Sequence, residues 1–435
     1  MAGELAQFVK DTGVKYVLFN FTDLFGNQRS KLVPAQAVAG MEEDGAGFAG
    51  FAAWLDLVPA DPDMFAVPDA SSAVQLPWKK EVAWVAGDLV MNGEPVAHAP
   101  RNLLKKVVAD AEAKGFRMKS GIEAEYHLIN ADGTDISDPN DTQSKPCYDQ
   151  SALMRRYEVI AEICDAMIAL GWGPYQNDHE DGNGQFEMNW NYDDALVTAD
   201  RHAFFKFMVK SIAENHGLRA TFMPKPFLHL TGNGCHSHIS LWTPDGETNV
   251  FADDGGEMGL SQTAYHFLGG LVHNAEAMAA ITNPTVNSYK RINAPRTNSG
   301  ATWAPNTVTY GGNNRTHMIR IPDPGRFELR LADGATNPYL LQAVSLAAGL
   351  DGIANTRDPG ARLDIDMYAE PEKAPHAKRL PLNMLDAIRA FQASMPLRER
   401  LGAEFCDAFV KLKMNEWNSY SHHLTQWERD NTLDI

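Results

Sequence analysis

The chain has 435 residues, of which 44% are hydrophobic and 22% are charged, as in a soluble globular protein of more than one domain. Its net charge of −18 and isoelectric point near 5.2 argue against a nucleic-acid partner and against binding to an anionic membrane. The N-terminal segment lacks the apolar core of a signal peptide, and no apolar run is long enough to span a bilayer. The four cysteines are widely spaced and match no zinc or disulfide pattern. We therefore expect a cytoplasmic protein.

Strand and turn signals alternate along the first part of the chain, with strands predicted near residues 15–21 and 82–86. A basic amphipathic helix is predicted to begin at Pro100. The change between these patterns divides the chain into predicted domains of residues 1–97 and 98–435. Further helices are predicted at residues 151–171, 200–217, 261–281, 337–353, 382–401 and 405–429.

Four stretches place Glu, His, Arg or amide side chains at every second position with apolar residues between them, at residues 121–128, 185–190, 236–241 and 326–331. Because successive residues of a strand point to opposite faces, each stretch is predicted to be a strand with one apolar and one ionisable face. Such one-sided strands are typical of antiparallel sheets, so the predicted class is α+β with helices packed on the apolar face.

The ionisable faces predict a metal site. Mostly oxygen ligands, no thiolate and a single histidine favour Mg²⁺ or Mn²⁺, and five carboxylates are enough for two or more ions. Crowded carboxylates repel one another unless cations neutralise them. The candidate ligands are Glu123, Glu125, Glu180, Glu187, His236 and Glu328.

A set of arginines follows in the second half of the chain. Arginine forks bind carboxylates and phosphates, and paired cations beside them suit phosphoryl transfer. The alternative for any one of these arginines is a salt bridge to the acidic cluster itself. The arginines are Arg291, Arg315, Arg320, Arg326 and Arg330.

In order and spacing, seven motifs resemble the glutamine synthetase family over nearly the whole chain. They are Gly121-Ile-Glu-Ala-Glu, His179-Glu-Asp-Gly-Asn-Gly-Gln-Phe-Glu, Phe222-Met-Pro-Lys-Pro, Cys235-His-Ser-His-Ile-Ser, Asn283-Pro-Thr-Val-Asn-Ser-Tyr-Lys-Arg, Asn314-Arg-Thr-His-Met-Ile-Arg-Ile-Pro and Arg326-Phe-Glu-Leu-Arg. The resemblance implies an N-terminal β-grasp domain and a catalytic domain with a curved antiparallel sheet flanked by helices. It also implies an enzyme of nitrogen metabolism that forms hexameric rings, usually stacked as dodecamers, with each site between neighbouring subunits.

The resemblance implies a role for each candidate residue. One metal is expected at Glu125, Glu180 and Glu187, and the other at Glu123, His236 and Glu328. L-Glutamate is expected to contact Glu125, Gly232, His236, Arg291 and Arg330. ATP is expected to contact His238, Ser240, Arg315, Arg320 and Arg326, and the catalytic residues are expected to be Arg315, Arg291 and Glu328. The implied reaction moves the γ-phosphoryl group of ATP to the glutamate side chain, and an amine then displaces phosphate.

The amine side departs from the ammonia-using relatives, which carry an aspartate in a loop of the neighbouring subunit and a glutamate in a flap. Gly47 stands where that aspartate would be, and the flap, residues 292–303, contains no acid. Beside Gly47 lie Phe48, Phe51 and Trp54, which with it form the predicted amine pocket. Such a pocket suits an amine with an apolar group, whose burial gains roughly 0.8 kcal/mol per carbon. Residues 291–305 resemble the type III branch of the family, which includes glutamate–methylamine ligases, so methylamine is the expected amine.

Two alternatives stay open at this point. The chain could use ammonia or a longer amine, with Asp44, Asp56 or another residue in place of the missing acids. A family member without catalytic activity, acting as a binding or structural protein, is the other; the intact metal and arginine sets argue against it.

Overall fold

The computed structural model describes residues 3–435, so the first two residues of the predicted N-terminal domain lie outside the described residues. The strands are β1 (Tyr16–Thr22), β2 (Gln28–Pro34), β3 (Ala46–Phe48), β4 (Met64–Pro68), β5 (Val74–Gln75), β6 (Val82–Met91), β7 (Glu94–Pro95), β8 (Arg117–Ala124), β9 (Tyr126–Asn130), β10 (Pro174–His179), β11 (Gln185–Trp190), β12 (Asp193–Asp194), β13 (Leu218–Thr221), β14 (Cys235–Trp242), β15 (Thr307–Val308), β16 (Tyr310–Gly311), β17 (Ile319–Arg320), β18 (Phe327–Leu329) and β19 (Lys378–Arg379). The helices are α1 (Glu4–Thr12), α2 (Ala35–Met41), α3 (Pro100–Glu112), α4 (Gln150–Arg155), α5 (Tyr157–Ala169), α6 (Ala195–Asn215), α7 (Gln262–Thr282), α8 (Ser288–Ile292), α9 (Pro338–Ala354), α10 (Met384–Ala393), α11 (Met395–Leu401), α12 (Ala403–Ser421) and α13 (Gln426–Thr432).

The N-terminal sheet has the order β2-β1-β6-β4-β3, with the short strands β5 and β7 also paired to β6. Its central pair, β1 and β6, is parallel, and its other pairs are antiparallel. Helices α1 and α2 cover one face through Leu5, Val9 and Val38, which belong to one buried cluster with Val17 and Val85 of the sheet. A mixed sheet crossed by helices on one side agrees with the expected β-grasp arrangement.

Two further sheets carry the ionisable stretches. One is four-stranded with the order β10-β11-β9-β13, and the other is six-stranded with the order β12-β8-β14-β18-β17-β16. Both are antiparallel apart from the β16–β17 pair. The stretch at residues 185–190 is the strand that the alternation predicts. The stretch at residues 121–128 is not one strand, because Glu125 interrupts it and sends β8 and β9 into different sheets.

Helices α7 and α9 form the layer behind the six-stranded sheet. The apolar residues Ile239, Phe327 and Leu329 of that sheet belong to the same buried cluster as both helices. A Cβ on Gly270 of α7 would lie 2.1 Å from the carbonyl oxygen of Ala348 of α9. Glycine therefore permits the close approach of the two helices, which gives the ionisable strands a rigid support.

Several predicted helices are divided. The segment 151–171 forms α4 and α5, 382–401 forms α10 and α11, and 405–429 forms α12 and most of α13. The second break has a local cause, because Ser394 caps α11 and Pro396 occupies its first turn, where a missing amide hydrogen is tolerated.

The mixed α+β class with curved sheets flanked by helices is confirmed. The domain division at residues 97/98 stays a prediction, since one hydrophobic cluster joins Phe21 and Met64 to Leu103 across it. Among residues 3–435, no helix combines the length and hydropathy that crossing a membrane requires, and the cytoplasmic location stays a prediction.

Candidate active site

Strand register brings four predicted site residues together on the six-stranded sheet. In the pairing of β14 with β8, His236 lies opposite Glu123, and in the pairing of β14 with β18, His238 lies opposite Glu328. Directly opposed side chains of an antiparallel pair share one face of the sheet. Glu123, His238 and Glu328 consequently offer ligand atoms that all lie within 4.8 Å of one another.

Glu125 lies at the junction of the two sheets and forms a second group with Glu180 and Glu187. The ligand atoms of these three carboxylates also lie within 4.8 Å of one another. The Oε2 atom of Glu125 accepts hydrogen bonds from the side chain of Gln185 at 2.9 Å and from the backbone of Gly234 at 2.6 Å. This is the set of three residues that the sequence assigns to one metal.

The other predicted set, Glu123, His236 and Glu328, is also a cluster of neighbours. The Nδ1 atom of His236 lies 3.5 Å from Glu123 Oε2 and 3.7 Å from Glu328 Oε1. His236 forms its tightest group with Glu123 and Glu187, however, whereas Glu328 groups with His238. His238, which the sequence assigns to ATP, thus forms a group of possible metal ligands with Glu123 and Glu328.

The electrostatics of the cluster fit hard divalent cations. Burial and the charge of Glu125 raise the pKa of Glu180 well above its usual range. Burial and the charges of Glu123 and Glu180 do the same for the pKa of Glu187. The buried Nε2 atom of His236 has no hydrogen-bond partner within residues 3–435. Cations would neutralise the carboxylates and use this free nitrogen, and the oxygen-rich donor set suits Mg²⁺ or Mn²⁺.

Glu328 has two arginine partners. Arg320 Nη1 lies 2.7 Å from its Oε2 atom, and Arg330 Nη1 lies 2.5 Å from its Oε1 atom. Burial alone would raise the pKa of Glu328, but the charges of Arg330 and His236 lower it to about 2. Both arginines therefore form salt bridges to the acidic cluster, which is the alternative considered for them in the sequence.

The remaining arginines occupy different surroundings. Arg291 is buried, and its Nη1 atom donates to the carbonyl oxygen of Leu331 at 3.3 Å. Arg326 pairs with Asp323 and donates to Nδ1 of His238 at 2.9 Å. Arg315 is exposed, and the structure does not bring its side chain into the cluster.

Two glycines let the backbone reach the centre of the site. A Cβ on Gly232 would lie 2.2 Å from the carbonyl oxygen of Pro224, so no larger residue fits there. A Cβ on Gly234 would lie 2.8 Å from His236 Nε2, 2.9 Å from Arg291 Nη2 and 3.0 Å from Glu125 Oε1. Gly234 is absent from the candidates chosen from the sequence, although its place one residue before the Cys235-His motif is a signal that could have found it.

A cleft of about 330 Å³ opens beside the metal cluster and contains three of the five residues assigned to ATP. These are His238, Ser240 and Arg326, whereas Arg315 and Arg320 do not line it. Its aromatic walls, which are not among the residues predicted from the sequence, are Tyr175, Tyr192 and Trp242. The Trp242 indole nitrogen donates to Ser240 Oγ at 2.9 Å, and Trp242 continues the alternation of 236, 238 and 240, so the pattern could have found it. Aromatic faces of this kind stack on nucleobases.

The predicted amine residues lie on and after β3 of the N-terminal sheet. Phe48 packs edge-on against Phe21 with ring centres 4.9 Å apart, so part of it is already buried within the chain. Phe51 and Trp54 remain 53% and 49% exposed. Phe51 and Trp54 thus leave about half of their surface uncovered within the chain.

The alternative acids have different surroundings. Asp44 is exposed, and Asp56 forms a salt bridge of 2.8 Å with Lys411. The flap runs from α8 toward β15 without helix or strand from residue 293 to residue 306.

Clustered carboxylates, arginines and an aromatic-walled cleft on a curved antiparallel sheet define a class of protein. It is the class of enzymes that use cations and arginines to transfer a phosphoryl group between anionic substrates.

Comparison with known proteins places the chain within that class. The profile described as "Glutamine synthetase, catalytic domain" matches residues 97–432. The chain is 67% identical, over the whole of both proteins, to a glutamine synthetase of Rhizobium leguminosarum bv. phaseoli. It is 42% identical, over 99% of both proteins, to a glutamate–methylamine ligase of Methyloversatilis universalis. It also matches a solved structure titled "GmaS/ADP complex-Conformation 1", with 63% identity and a TM-score of 0.96 over the whole of both chains.

The chain belongs to the glutamine synthetase family. The resemblance read from the motifs is confirmed, and the protein is an ATP-dependent ligase of nitrogen metabolism. Members of the family use ATP and divalent metals, and the acidic clusters of this chain could hold such metals.

Proposed function

We propose that this protein joins L-glutamate to methylamine, converting ATP to ADP and phosphate and forming γ-glutamylmethylamide. The observation that carries the proposal is the chemistry of the amine side. Gly47 and the acid-free flap lack the carboxylates that would bind ammonium, while Phe51 and Trp54 are exposed beside Gly47. A methyl group gains free energy by contact with such rings, and ammonia does not.

The names of the relatives support this choice without deciding it. The 42% identical ligase and the 63% identical structure carry names of methylamine-using enzymes, GmaS standing for γ-glutamylmethylamide synthetase. The 67% identical relative is named glutamine synthetase. An ammonia-using enzyme is therefore the second candidate, and a ligase for a longer amine is the third.

We assign the two substrates to opposite ends of the site. We assign ATP to the cleft beside His238, Ser240 and Arg326, whose cationic and hydroxyl groups suit phosphate oxygens. Arg315 and Arg320 stay in this assignment as predictions. Divalent cations bound by the carboxylates would neutralise the charge that develops during phosphoryl transfer.

We assign glutamate to the end formed by Gly232, Arg291 and Arg330, with Glu125 and His236 beside it. Arg291 is fully enclosed and has one fork nitrogen directed toward Gly234, so it can orient a carboxylate. The γ-carboxylate attacks the γ-phosphorus of ATP and ADP leaves. The amine nitrogen then attacks the acyl carbon, phosphate leaves, and the amine gives up a proton.

We also propose that the protein forms a ring of identical subunits, expected to be a dodecamer, in which one chain completes the site of the next. Within a single chain, Phe48 and Trp54 contact Phe21 and Phe25, not the acidic strands. These residues can line an amine pocket only if they meet the site of a second copy.

The test measures phosphate release with glutamate and ATP in the presence of ammonia, methylamine, ethylamine or putrescine. Methylamine is expected to give the highest kcat/KM, with ammonia and ethylamine lower by roughly 10–200-fold, the range that one methyl group provides. If ammonia gives the highest value, the methylamine proposal is wrong. If none of the four amines stimulates release, the proposed reaction is wrong.

A substitution at position 47 tests the missing-acid argument directly. A Cβ at Gly47 would lie 3.3 Å from Phe65 Cε1, which a small movement of that half-exposed ring can relieve. Gly47→Asp is expected to shift preference toward ammonia, and Gly47→Asn, which has the same size without the charge, is the matched control. Equal shifts in both variants would show that size, not charge, determines the choice.

A further inference from the structure

The flap is attached to the metal-binding turn by one buried carboxylate, that of Asp181, which follows the metal candidate Glu180. Asp181 Oδ2 accepts hydrogen bonds from the indole nitrogen of Trp303 at 2.7 Å and from the hydroxyl group of Ser299. It also accepts one from the hydroxyl group of Thr231 at 2.7 Å. Two of these three donors belong to the flap, so the carboxylate joins the flap to the turn that carries the metal ligands.

The flap adjoins the glutamate end of the site. It begins directly after Arg291. Farther along the flap, Thr302 lies beside Tyr368, whose phenol is within electrostatic reach of Arg330 and Arg291. The flap therefore adjoins the end of the site that carries these arginines.

The backbone of the flap does not hold this shape by itself. Trp303 has φ of +53°, a left-handed conformation that a bulky residue adopts only when its surroundings require it. Residues 293–306 contain no helix or strand. A backbone hydrogen bond of 3.1 Å, donated by the amide of Asn298 to the carbonyl oxygen of His229, joins the flap to the loop before Gly232. Side-chain contacts, among them those of Trp303 and Ser299 to Asp181, therefore contribute to holding the flap in this conformation.

We propose that Asp181 is a positioning residue that holds the flap closed over the glutamate site by accepting hydrogen bonds from Trp303 and Ser299. This inference rests on the proposed function, since it concerns the acyl phosphate formed there.

The closed flap has a chemical consequence. If water reaches γ-glutamyl phosphate, it forms a bond to the acyl carbon, the bond to the phosphate oxygen breaks, and glutamate, phosphate and a proton are released. ATP is then hydrolysed without product. A flap held by Asp181 excludes water from the acyl phosphate until the amine binds.

The experiment compares amine-independent with methylamine-dependent phosphate release in Asp181→Ala, Asp181→Asn, Trp303→Phe and Ser299→Ala. Asp181→Ala removes the acceptor for both flap donors and is expected to raise the ratio of the two rates by at least about tenfold. Trp303→Phe keeps a ring but removes one donor, so a smaller rise is expected. The KM for the amine is expected to increase while the KM for ATP, whose cleft lies elsewhere, stays unchanged.

Two controls separate positioning from other roles. Asp181→Asn keeps an acceptor oxygen, so its ratio of amine-independent to methylamine-dependent release is expected to lie close to that of the parent. A ratio as high as that of Asp181→Ala would overturn the proposal. Thr231→Val removes a donor to the same oxygen that is outside the flap, and its ratio is expected to remain close to that of the parent. A proportional fall of both rates in the alanine and phenylalanine variants, with an unchanged ratio, would also overturn it.

The parent protein distinguishes this inference from the proposed function. If the parent shows no methylamine-dependent release, the proposed function is wrong. If it does, and the ratio in Asp181→Ala is unchanged, only the role of Asp181 is wrong. Should Asp181→Ala fail to fold, Trp303→Phe and Ser299→Ala, which retain the carboxylate, decide the question.

Discussion

Glu187→Gln should have opposite effects on stability and on activity, because the same charge repels its neighbours and binds cations. Two carboxylate oxygens no more than 4.8 Å apart repel each other by at least about 3 kcal/mol at an effective dielectric constant of about 20. In excess chelator, the glutamine variant is therefore expected to be more stable than the parent by about that amount for each ionised carboxylate that Glu187 no longer repels. Its amide oxygen can still accept the hydrogen bond that Asn189 donates to Glu187 at 2.9 Å.

The thermal unfolding midpoint measures this effect. Unfolding entropies of about 2.1 cal/mol/K per residue make 3 kcal/mol equivalent to about 3 °C for a chain of 435 residues. Glu43→Gln, at an exposed position, is the control and should change stability by less than about 0.5 kcal/mol. With Mg²⁺ or Mn²⁺ present, the parent should regain stability by binding the cations, and the Glu187 variant should lose most of its turnover.

The pH dependence gives a second check on the same variant. The pKa of Glu187 is raised by burial and by Glu123, Glu180 and Glu125, so its ionisation costs stability in the folded chain only. That cost is absent below the ordinary pKa of 4.5, grows as the pH rises above it, and is complete above the folded pKa. The advantage of glutamine in chelator should thus be large near about pH 8 and vanish near about pH 4. A lower midpoint for the variant in chelator at about pH 8 would refute the repulsion argument.

Two further predictions concern stability and assembly. Arg101 is buried and forms salt bridges with Asp69, Asp88 and Asp200 at 2.8, 2.5 and 3.0 Å. Arg101→Leu should therefore lower the free energy of unfolding by about 3–5 kcal/mol in chemical denaturation, because it leaves buried carboxylates without a partner. The control, Lys105→Ala at an exposed position nearby, should lower it by less than about 1 kcal/mol. A loss of stability for Arg101→Leu no larger than that of the lysine control would contradict this. Sedimentation should show a large ring of identical subunits, and a monomer with full ligase activity would disprove the shared amine pocket.

The sequence predicts which side chains share a face because the period of a strand is a local property. Gln185 to Trp190 form the strand that their alternation indicates, and Glu123 and His236 point to the same surface as expected. The alternation was sufficient to predict the α+β class, and the motifs, taken with their spacing, were sufficient to predict the family. Composition, charge and periodicity alone would have left the class of ligase open.

The tertiary structure decides which of these faces meet. The interruption at Glu125 places that residue between two sheets and beside Glu180, although its parity with Glu123 predicts one continuous strand. Likewise, the register that sets His238 opposite Glu328 depends on how β14 pairs with two other strands. Pairing and register minimise the exposed apolar area of all strands together, so they are not encoded in any one segment.

The contact between Asp181 and the flap is nonlocal in the same sense. Asp181 and Trp303 are 122 positions apart, and nothing in either segment identifies the other as its partner. Only burial of the carboxylate creates the need for donors, because an unpaired buried charge would be too costly. The sequence therefore determined the chemical groups of this enzyme, and packing of distant segments determined which groups act on one another.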